Sequence, residues 1–193
     1  AEHPAIMIGG GIWGAEESLR DLAEEIQAPI CSSPHGNGAI DYRHYLAQNL
    51  MCAKEDWDNI DVVLSVGTRY QAPASWGRHD EKKLIRIDID PNQSVQIAKP
   101  DVHIVSTAAK SLRMLSERVQ RHNRKREDRE ERLSLLKKSV MERFNSLEPQ
   151  YSYNMVIRDE LPENGIACFD ITQLGYVAWF GFPTYHPRTL IHA

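Results

Sequence analysis

The sequence predicts an α/β protein built on a doubly wound parallel sheet. Three short runs rich in Ile and Val each end in glycines or acids, in the segments 6–11, 62–69 and 84–90. Strands that are buried on both faces of a parallel sheet show this continuous apolar pattern, and their carboxyl ends open into ligand-binding turns. We therefore expect a crevice at the carboxyl edge of a Rossmann-like sheet.

The composition is that of an ordinary soluble protein. The 193 residues are 41% hydrophobic and 26% charged, which suffices for one sizeable core, and the net charge of -4 argues against a polyanionic partner. No apolar run approaches the roughly 20 residues of a membrane span, and residues 1–4 show no signal-peptide pattern. We expect a cytoplasmic protein that binds neither nucleic acid nor a membrane.

The side chains that usually carry chemistry are sparse. Cys31, Cys52 and Cys168 are odd in number and widely spaced, which predicts buried free thiols rather than disulfides or a zinc site. The eight histidines lack the spacing of metal ligands, and no nucleophile-elbow pattern is present. The sequence predicts neither a metal site nor nucleophilic catalysis.

Strands and helices alternate along the first predicted unit, residues 1–116. Apolar residues at helical spacing predict a helix over residues 16–26. Further helices are expected at 42–51 and 108–119, and the strands at 5–8, 29–33, 61–66, 83–89 and 102–105. Short connections between such elements favour right-handed crossovers and a doubly wound sheet.

Residues 117–150 read as a charged connector. Acids and bases are interleaved over residues 121–132, which favours a long, mostly solvated helix from 117 to 144. A nucleic-acid contact is the functional alternative, but the acids cancel the field of the bases and no aromatic residue interrupts them. A purely structural interaction role would rest on the same helix.

The last unit, residues 151–193, reads as the truncated start of a second domain. A helix is expected at 151–161 and a strand at 166–170, with nothing downstream to pair with that strand. Trp179, Phe180 and Phe182 would then be exposed or pressed onto the first domain. Either the chain is a fragment of a longer polypeptide or its tail packs in a non-native way.

Candidate ligand-binding residues follow the strands. The glycines at 9–11 would let a backbone approach a phosphate, and positions 9, 11 and 14 match the dinucleotide pattern G-x-G-x-x-G. The acid that this pattern requires after the second strand is replaced by Ser32 and Ser33, which disfavours NAD. Tight packing of helix on sheet is the simpler explanation of the glycines.

Two charged positions suggest contacts in the crevice. Arg69 follows a strand end, where a guanidinium suits a diphosphate, although an ion pair with Asp88 or Asp90 is the structural alternative. Asp88 is placed to accept hydrogen bonds from a ribose or from loop amides, and Asp90 is more simply a turn residue.

In this order and spacing, the features resemble the central domain of thiamine-diphosphate enzymes of the acetolactate synthase and 2-oxo-acid decarboxylase type. The matching segments are 9–11, 22–30, 36–38, 67–69, 87–90 and 100–102 with His44, and then 161–166, 170–173 and 187–189, which look like the start of that family's third domain. The resemblance implies a 2-oxo acid substrate, thiamine diphosphate and magnesium in a full-length, homo-oligomeric parent.

The resemblance also implies that this chain alone is not catalytic. In the family, a glutamate of a domain that would precede Ala1 activates the thiamine ring. A G-D-G to N motif that would follow Ala193 holds magnesium and the diphosphate. We therefore expect this chain to bind neither thiamine diphosphate nor magnesium and to serve as a scaffold.

Acetolactate synthases bind FAD in this domain, and the resemblance places such a site at Gly9, Gly10, Gly11, Ser33, Gly67, Thr68, Arg69, Asp88 and Ile89. The sequence departs from the FAD-binding pattern at residues 70–73, which replace an acidic pair and a second arginine, and at 106–107, which replace Gly-Asp. FAD or ADP in the crevice is thus a weaker expectation. The alternative from another class is a stand-alone FAD or adenine-nucleotide module of the electron-transfer-flavoprotein type.

Overall fold

A six-stranded parallel sheet forms the centre of the computed structural model, which describes residues 1–77, 81–92, 97–124 and 126–193. Its strands are β1 (Pro4–Ile8), β2 (Ile30–Ser32), β3 (Ala47–Asn49), β4 (Val62–Val66), β5 (Lys83–Asp88) and β6 (Val102–Val105). The spatial order β3-β2-β1-β4-β5-β6 is that of the doubly wound dinucleotide-binding fold, with the switch point between β1 and β4. The predicted fold class is confirmed.

Helices cover the sheet. The helices are α1 (Glu16–Ile26), α2 (Leu50–Glu55), α3 (Gln71–Ala74), α4 (Ala108–Val119), α5 (Glu130–Phe144), α6 (Gln150–Glu160) and α7 (Gln173–Gly181).

The central strand β1 is apolar along its whole length because both of its faces are buried. Ile6 and Ile8 belong to the larger core cluster, with residues of α1 and α4, whereas Ala5 and Met7 belong to a second cluster. Because successive side chains of a strand point to opposite faces, every residue of β1 is buried.

The helix predicted over residues 42–51 is wrong. The chain instead forms the edge strand β3 and then turns into α2. The Asn49 side chain accepts a hydrogen bond from the Cys52 amide at 2.9 Å, which caps the new helix. The Gln48 amide group, which no apolar pattern would bury, donates to the Leu133 carbonyl at 3.2 Å. Long-range hydrogen bonds therefore define this strand rather than local periodicity.

The single solvated helix predicted from 117 to 144 is also wrong. α4 ends at Val119 and α5 begins at Glu130. Between them, the Asn123 side chain donates to the Glu25 carbonyl at 2.6 Å and ties the break to the end of α1. α5 is not a free connector, because Leu133 is fully buried in the larger core cluster.

The tail forms a small β-α-β unit, so the expectation of an unpaired strand is wrong. β7 (Ala167–Phe169) pairs in parallel with β8 (Leu190–His192), and α7 connects them. Phe182 is buried, with its ring edge-on to Phe169 at 5.3 Å between centroids. The predicted domain boundaries at residues 116 and 150 stay predictions.

The prediction that all three cysteines are buried free thiols is confirmed only in part. All three cysteines are free, but Cys168 is exposed in the short strand β7 rather than buried. Within the described ranges, no helix combines the length and apolar character that a bilayer span requires.

Replacing Leu133 by alanine tests whether α5 is part of the core. We expect Leu133→Ala to lower the free energy of unfolding by about 2–5 kcal/mol, because it empties a fully buried site. The matched control is Leu135→Ala on the same helix, whose side chain is 59% exposed and whose loss should cost at most about 0.5 kcal/mol. Equal effects in urea unfolding would show that α5 is the solvated connector after all.

Candidate functional site at the carboxyl edge of the sheet

A cleft of about 590 Å³ opens where β1, β2 and β4 end. It is lined by residues 7–11, 33–35, 67–73, Leu50, Trp179, Phe180, His192 and Ala193. Seven of the nine predicted site residues are brought together here, namely Gly9, Gly10, Gly11, Ser33, Gly67, Thr68 and Arg69. The crevice therefore lies at the switch point of the sheet, as the rule for open α/β sheets predicts.

Asp88 and Ile89 are not part of the cleft lining. Asp88 accepts a hydrogen bond from the Asp90 amide at 3.1 Å and lies 3.8 Å from the guanidinium of Arg86. Ile89 is 70% exposed. Asp88 is the last residue of β5 and Ile89 follows it. This strand is separated from the switch point by β4, so both residues share the edge of the sheet without reaching its crevice.

The glycines after β1 serve mainly to pack two turns together. A Cβ atom on Gly9 would lie 2.7 Å from the Gly67 carbonyl oxygen, and one on Gly11 would lie 2.6 Å from the Gly67 Cα. The Gly11 amide donates to the Gly67 carbonyl at 3.0 Å. A Cβ on Gly10 would meet only His35, at 3.6 Å, so Gly10 is the glycine that faces the cleft.

The match to G-x-G-x-x-G does not form a dinucleotide cradle. The Gly14 amide donates to the Glu16 carboxylate at 3.0 Å. Glu16 and Glu17 both lie in the first turn of α1 and would repel an anion at the helix N-terminus. This geometry agrees with the interpretation that the glycines are structural and gives NAD no phosphate site there.

The loop after β4 presents Arg69 to the cleft. Arg69 is exposed and forms no ion pair within the part of the chain that the structure describes, so the alternative pairing with Asp88 or Asp90 is not formed. The fully buried Arg86 donates to the Thr68 carbonyl at 2.9 Å and so anchors this loop. Desolvation lowers the pKa of Arg86, and Asp88 partly offsets that cost.

Tyr70 completes the turn with a left-handed backbone, at φ +60°. Few residues other than glycine adopt this region, and such strain persists where the surrounding structure imposes it. The Tyr70 ring is buried in the second core cluster, and burial raises the pKa of its hydroxyl. The loop after β4 is thus anchored by a side chain that packs in the core on one face of the sheet.

The tail supplies a wall of the cleft that sequence reasoning missed. The His192 ring stacks on Phe169 at 5.9 Å and lies edge-on to Trp179 at 6.1 Å between centroids. Burial and, to a smaller extent, the nearby His35 lower the pKa of His192 to about 4. The position of His35 in the cleft could have been inferred from the sequence, because this residue follows β2 at the same edge of the sheet. No local sequence pattern predicts that Trp179 and His192, which are far away along the chain, lie beside it.

Side-chain amides fix the tail against the first sheet. Asn37 donates to the Trp179 carbonyl at 3.2 Å, and Asn49 donates to the Phe180 carbonyl at 2.8 Å. The β2–β3 connection is in turn fixed to α5, because the Lys137 ammonium group donates to the Tyr42 carbonyl at 2.8 Å. Desolvation lowers the pKa of Lys137 to about 8. The aromatic wall is therefore held by hydrogen bonds to both the β2–β3 connection and β3.

The cleft is electrostatically suited to an anion. Its charged or titratable side chains are His35, Arg69, Tyr70 and His192, and no aspartate or glutamate lines it. This contrasts with the net charge of -4 of the whole chain. A lining whose side chains carry potential positive charge and no carboxylate favours a phosphate or carboxylate ligand.

Comparison with known proteins assigns the chain to a family. Residues 1–115 match the family described as "Thiamine pyrophosphate enzyme, central domain". The chain belongs to the thiamine pyrophosphate enzyme family. The resemblance inferred from the sequence is thereby confirmed, and the family match does not support the alternative of an electron-transfer-flavoprotein module.

Several curated relatives of the thiamine pyrophosphate enzyme family are similar to this chain. The "Probable 2-ketoarginine decarboxylase AruI" of Pseudomonas aeruginosa is 28% identical over 100% of this chain and 36% of its own length. The "Probable acetolactate synthase large subunit" of Methanocaldococcus jannaschii is 32% identical, covering 60% of this chain and 21% of its own length. The "Glyoxylate carboligase" of Escherichia coli O157:H7 is 30% identical over 62% and 22%. The chain spans about a third or less of these relatives.

A solved structure shows the same fold. A structure described as a thiamin diphosphate-dependent enzyme from Mycobacterium smegmatis superposes with a TM-score of 0.71 at 16% identity. The match covers 100% of this chain and 39% of that one, so the tail as well as the six-stranded sheet is included.

Substitutions in the glycine turn distinguish packing from ligand contact. We expect Gly9→Ala to cost on the order of 1–3 kcal/mol of unfolding free energy, because its Cβ would overlap the backbone at Gly67. Gly10→Ala should change stability by at most about 0.5 kcal/mol, since its Cβ meets only ordinary contacts. Thermal or urea unfolding measures both, and a Gly9→Ala protein as stable as Gly10→Ala would refute the packing role.

Proposed function

We propose that this chain is the central scaffold of a thiamine pyrophosphate enzyme that acts on a 2-oxo acid, together with the start of its third domain. The observation that carries the proposal is the similarity to the 2-ketoarginine decarboxylase relative, which extends over 100% of the chain. The names of the other relatives, an acetolactate synthase and a glyoxylate carboligase, support the same class of substrate. Both decarboxylation and carboligation remain within the proposal.

The residues of this chain do not fit the magnesium-diphosphate end of the cofactor. Magnesium is held in enzymes by carboxylates and other oxygen ligands, and the cleft lining contains no carboxylate side chain. Within the described residues, no group of three or more His, Cys, Asp or Glu side chains could hold a metal. In the proposal, the full-length parent is a magnesium-dependent, homo-oligomeric and cytoplasmic enzyme. Its other domains hold the cofactor, and the present domain positions those domains relative to each other.

The cleft itself is the second part of the proposal, as a site for FAD or an adenine nucleotide. Its volume of about 590 Å³ lies within the range of roughly 300–1,000 Å³ that is typical of small-molecule sites. Trp179 and Phe180 provide apolar surface for a ring system. Arg69, which is exposed and unpaired within the described ranges, provides a guanidinium for a phosphate.

Removing the guanidinium tests the nucleotide site. We expect Arg69→Ala to weaken the binding of FAD or ADP by roughly tenfold to a hundredfold, because a charge-assisted hydrogen bond contributes about 1.5–3 kcal/mol. Arg113→Ala, which removes an exposed arginine of α4 outside the cleft, is the matched control. Calorimetric titration measures both, and unchanged affinity in Arg69→Ala would remove this residue from the site.

The catalytic part of the proposal is tested in the full-length parent. Given thiamine diphosphate and magnesium, we expect it to release carbon dioxide from pyruvate or another 2-oxo acid, because the cofactor carries the reaction while the protein orients it. Omission of the cofactor is the control. A soluble, cofactor-loaded parent that converts no 2-oxo acid in a broad panel would overturn the assignment.

A further inference from the structure

We propose that Trp179 is the ring-binding residue of the cleft and that it holds the adenine ring of a nucleotide whose phosphates lie at Arg69. This inference rests on the proposed nucleotide site and names the residue that makes the site select a nucleotide over a bare phosphate. It gives the ligand two anchors, one on the loop after β4 and one on α7 of the tail.

The aromatic side chains of the cleft differ in how far the core already uses them. The lining contains His35, Tyr70, Trp179, Phe180 and His192. The Tyr70 ring is buried in the second core cluster, and Phe180 packs against a third cluster, between α2, α5 and α7. His192 stacks on Phe169, and His35 offers only a small, polar ring. Trp179 belongs to no core cluster of the described residues, so its large ring is the one available to a ligand.

Several contacts fix Trp179 without covering it completely. Its backbone carbonyl accepts a hydrogen bond from the Asn37 side chain at 3.2 Å, and the residue remains partly exposed. The rings of Tyr176, Phe180 and His192 lie at interplanar angles of 69°, 80° and 83° to the indole. Among the described residues, no ring therefore stacks in parallel on Trp179. An offset parallel stack is a favourable arrangement for two aromatic rings, and a ligand ring would supply it.

The indole N–H of Trp179 is also unused by the protein. In the core, the Trp57 indole donates to the Gly77 carbonyl at 2.8 Å, as a buried indole usually does. The Trp179 indole donates to no acceptor in the part of the chain that the structure describes, and its nitrogen is not buried. The two ring nitrogens of His192, by contrast, are closed off. Trp179 is thus the residue of the tail wall that a ligand can reach.

Charge sets the direction in which the nucleotide lies. Arg69, on the sheet side of the cleft, is exposed and forms no ion pair with the described residues. The tail side is apolar at Trp179 and Phe180, and in the 193-residue chain it also carries the terminal carboxylate of Ala193. A phosphate is attracted to the guanidinium and repelled by the carboxylate, whereas an uncharged ring gains from leaving water for the indole. The ring therefore lies at the tail and the phosphates at the loop after β4.

The experiment titrates the complete 193-residue chain with ADP, which carries a ring and a diphosphate, and with inorganic pyrophosphate, which lacks the ring. We expect Trp179→Leu to weaken ADP binding roughly fivefold to a hundredfold, because a base loses its stacking partner, and to change pyrophosphate binding by at most about twofold. Trp179→Phe keeps a smaller ring and should restore most of the ADP affinity. Tyr153→Leu is the matched control, since it removes a 55%-exposed ring of α6 outside the cleft.

The outcomes separate this inference from the function on which it rests. ADP affinity that is unchanged in Trp179→Leu, or that falls no more than pyrophosphate affinity, overturns the ring-binding role and leaves the nucleotide site intact. Failure of the unmodified chain to bind both ADP and FAD overturns the nucleotide site itself. If Trp179→Leu does not fold, hydrogen exchange of the unmodified chain decides the question. ADP should then slow exchange of the α7 amides and pyrophosphate should not, and equal effects of the two ligands refute the proposal.

Discussion

The contact between the turns after β1 and β4 is the constraint on which the rest of the structure depends. Gly11 and Gly67 approach so closely that a Cβ on either would lie within 2.6 Å of the other's Cα. Gly67 also has a positive φ of +53°, which favours glycine. Because both turns meet backbone to backbone, the strands can end side by side at the switch point. The same contact forms the floor of the cleft and leaves Gly10 facing outward.

The loop that carries Arg69 also depends on Arg86, which connects it to the sheet. This side chain is fully buried beneath the loop that carries Arg69, so neither water nor a ligand in the cleft contacts it. Burying a guanidinium costs free energy, which its hydrogen bond to the Thr68 carbonyl and the carboxylate of Asp88 at 3.8 Å partly offset. Asp88 therefore affects the cleft indirectly, through the position of the loop, rather than by touching a ligand.

The sequence predicts the parts of this fold that obey local periodicity. The buried strands β1, β4 and β5 and the amphipathic helices α1 and α4 follow from apolar spacing, and the crevice follows from where glycines end the strands. β3 could not be predicted in this way, because its polar residues Gln48 and Asn49 are buried by hydrogen bonds to α5 and the tail. The break after α4 was missed for the same reason, since Asn123 bonds to the end of α1.

The sequence predicts only part of the site, because strand order and the packing of the tail decide which residues line the cleft. A carboxyl-edge rule identifies every strand end as a candidate, but only the strands beside the switch point open into the cleft, which leaves out Asp88 and Ile89. The wall formed by Trp179, Phe180 and His192 depends on the tertiary packing of the tail, for which no local pattern exists.

The position of the tail couples the cleft to the six-stranded sheet. Because the six-stranded sheet and the tail both line the cleft, a ligand that binds more tightly when they are docked stabilises their docking. Linkage is reciprocal, so undocking of the tail weakens ligand affinity by the same factor by which the ligand favours docking. The tail is held by carbonyls that accept from Asn37 and Asn49, contacts that are independent of charge. Ligand binding at this cleft would therefore respond to the position of the tail, and this response needs no reacting group in the cleft.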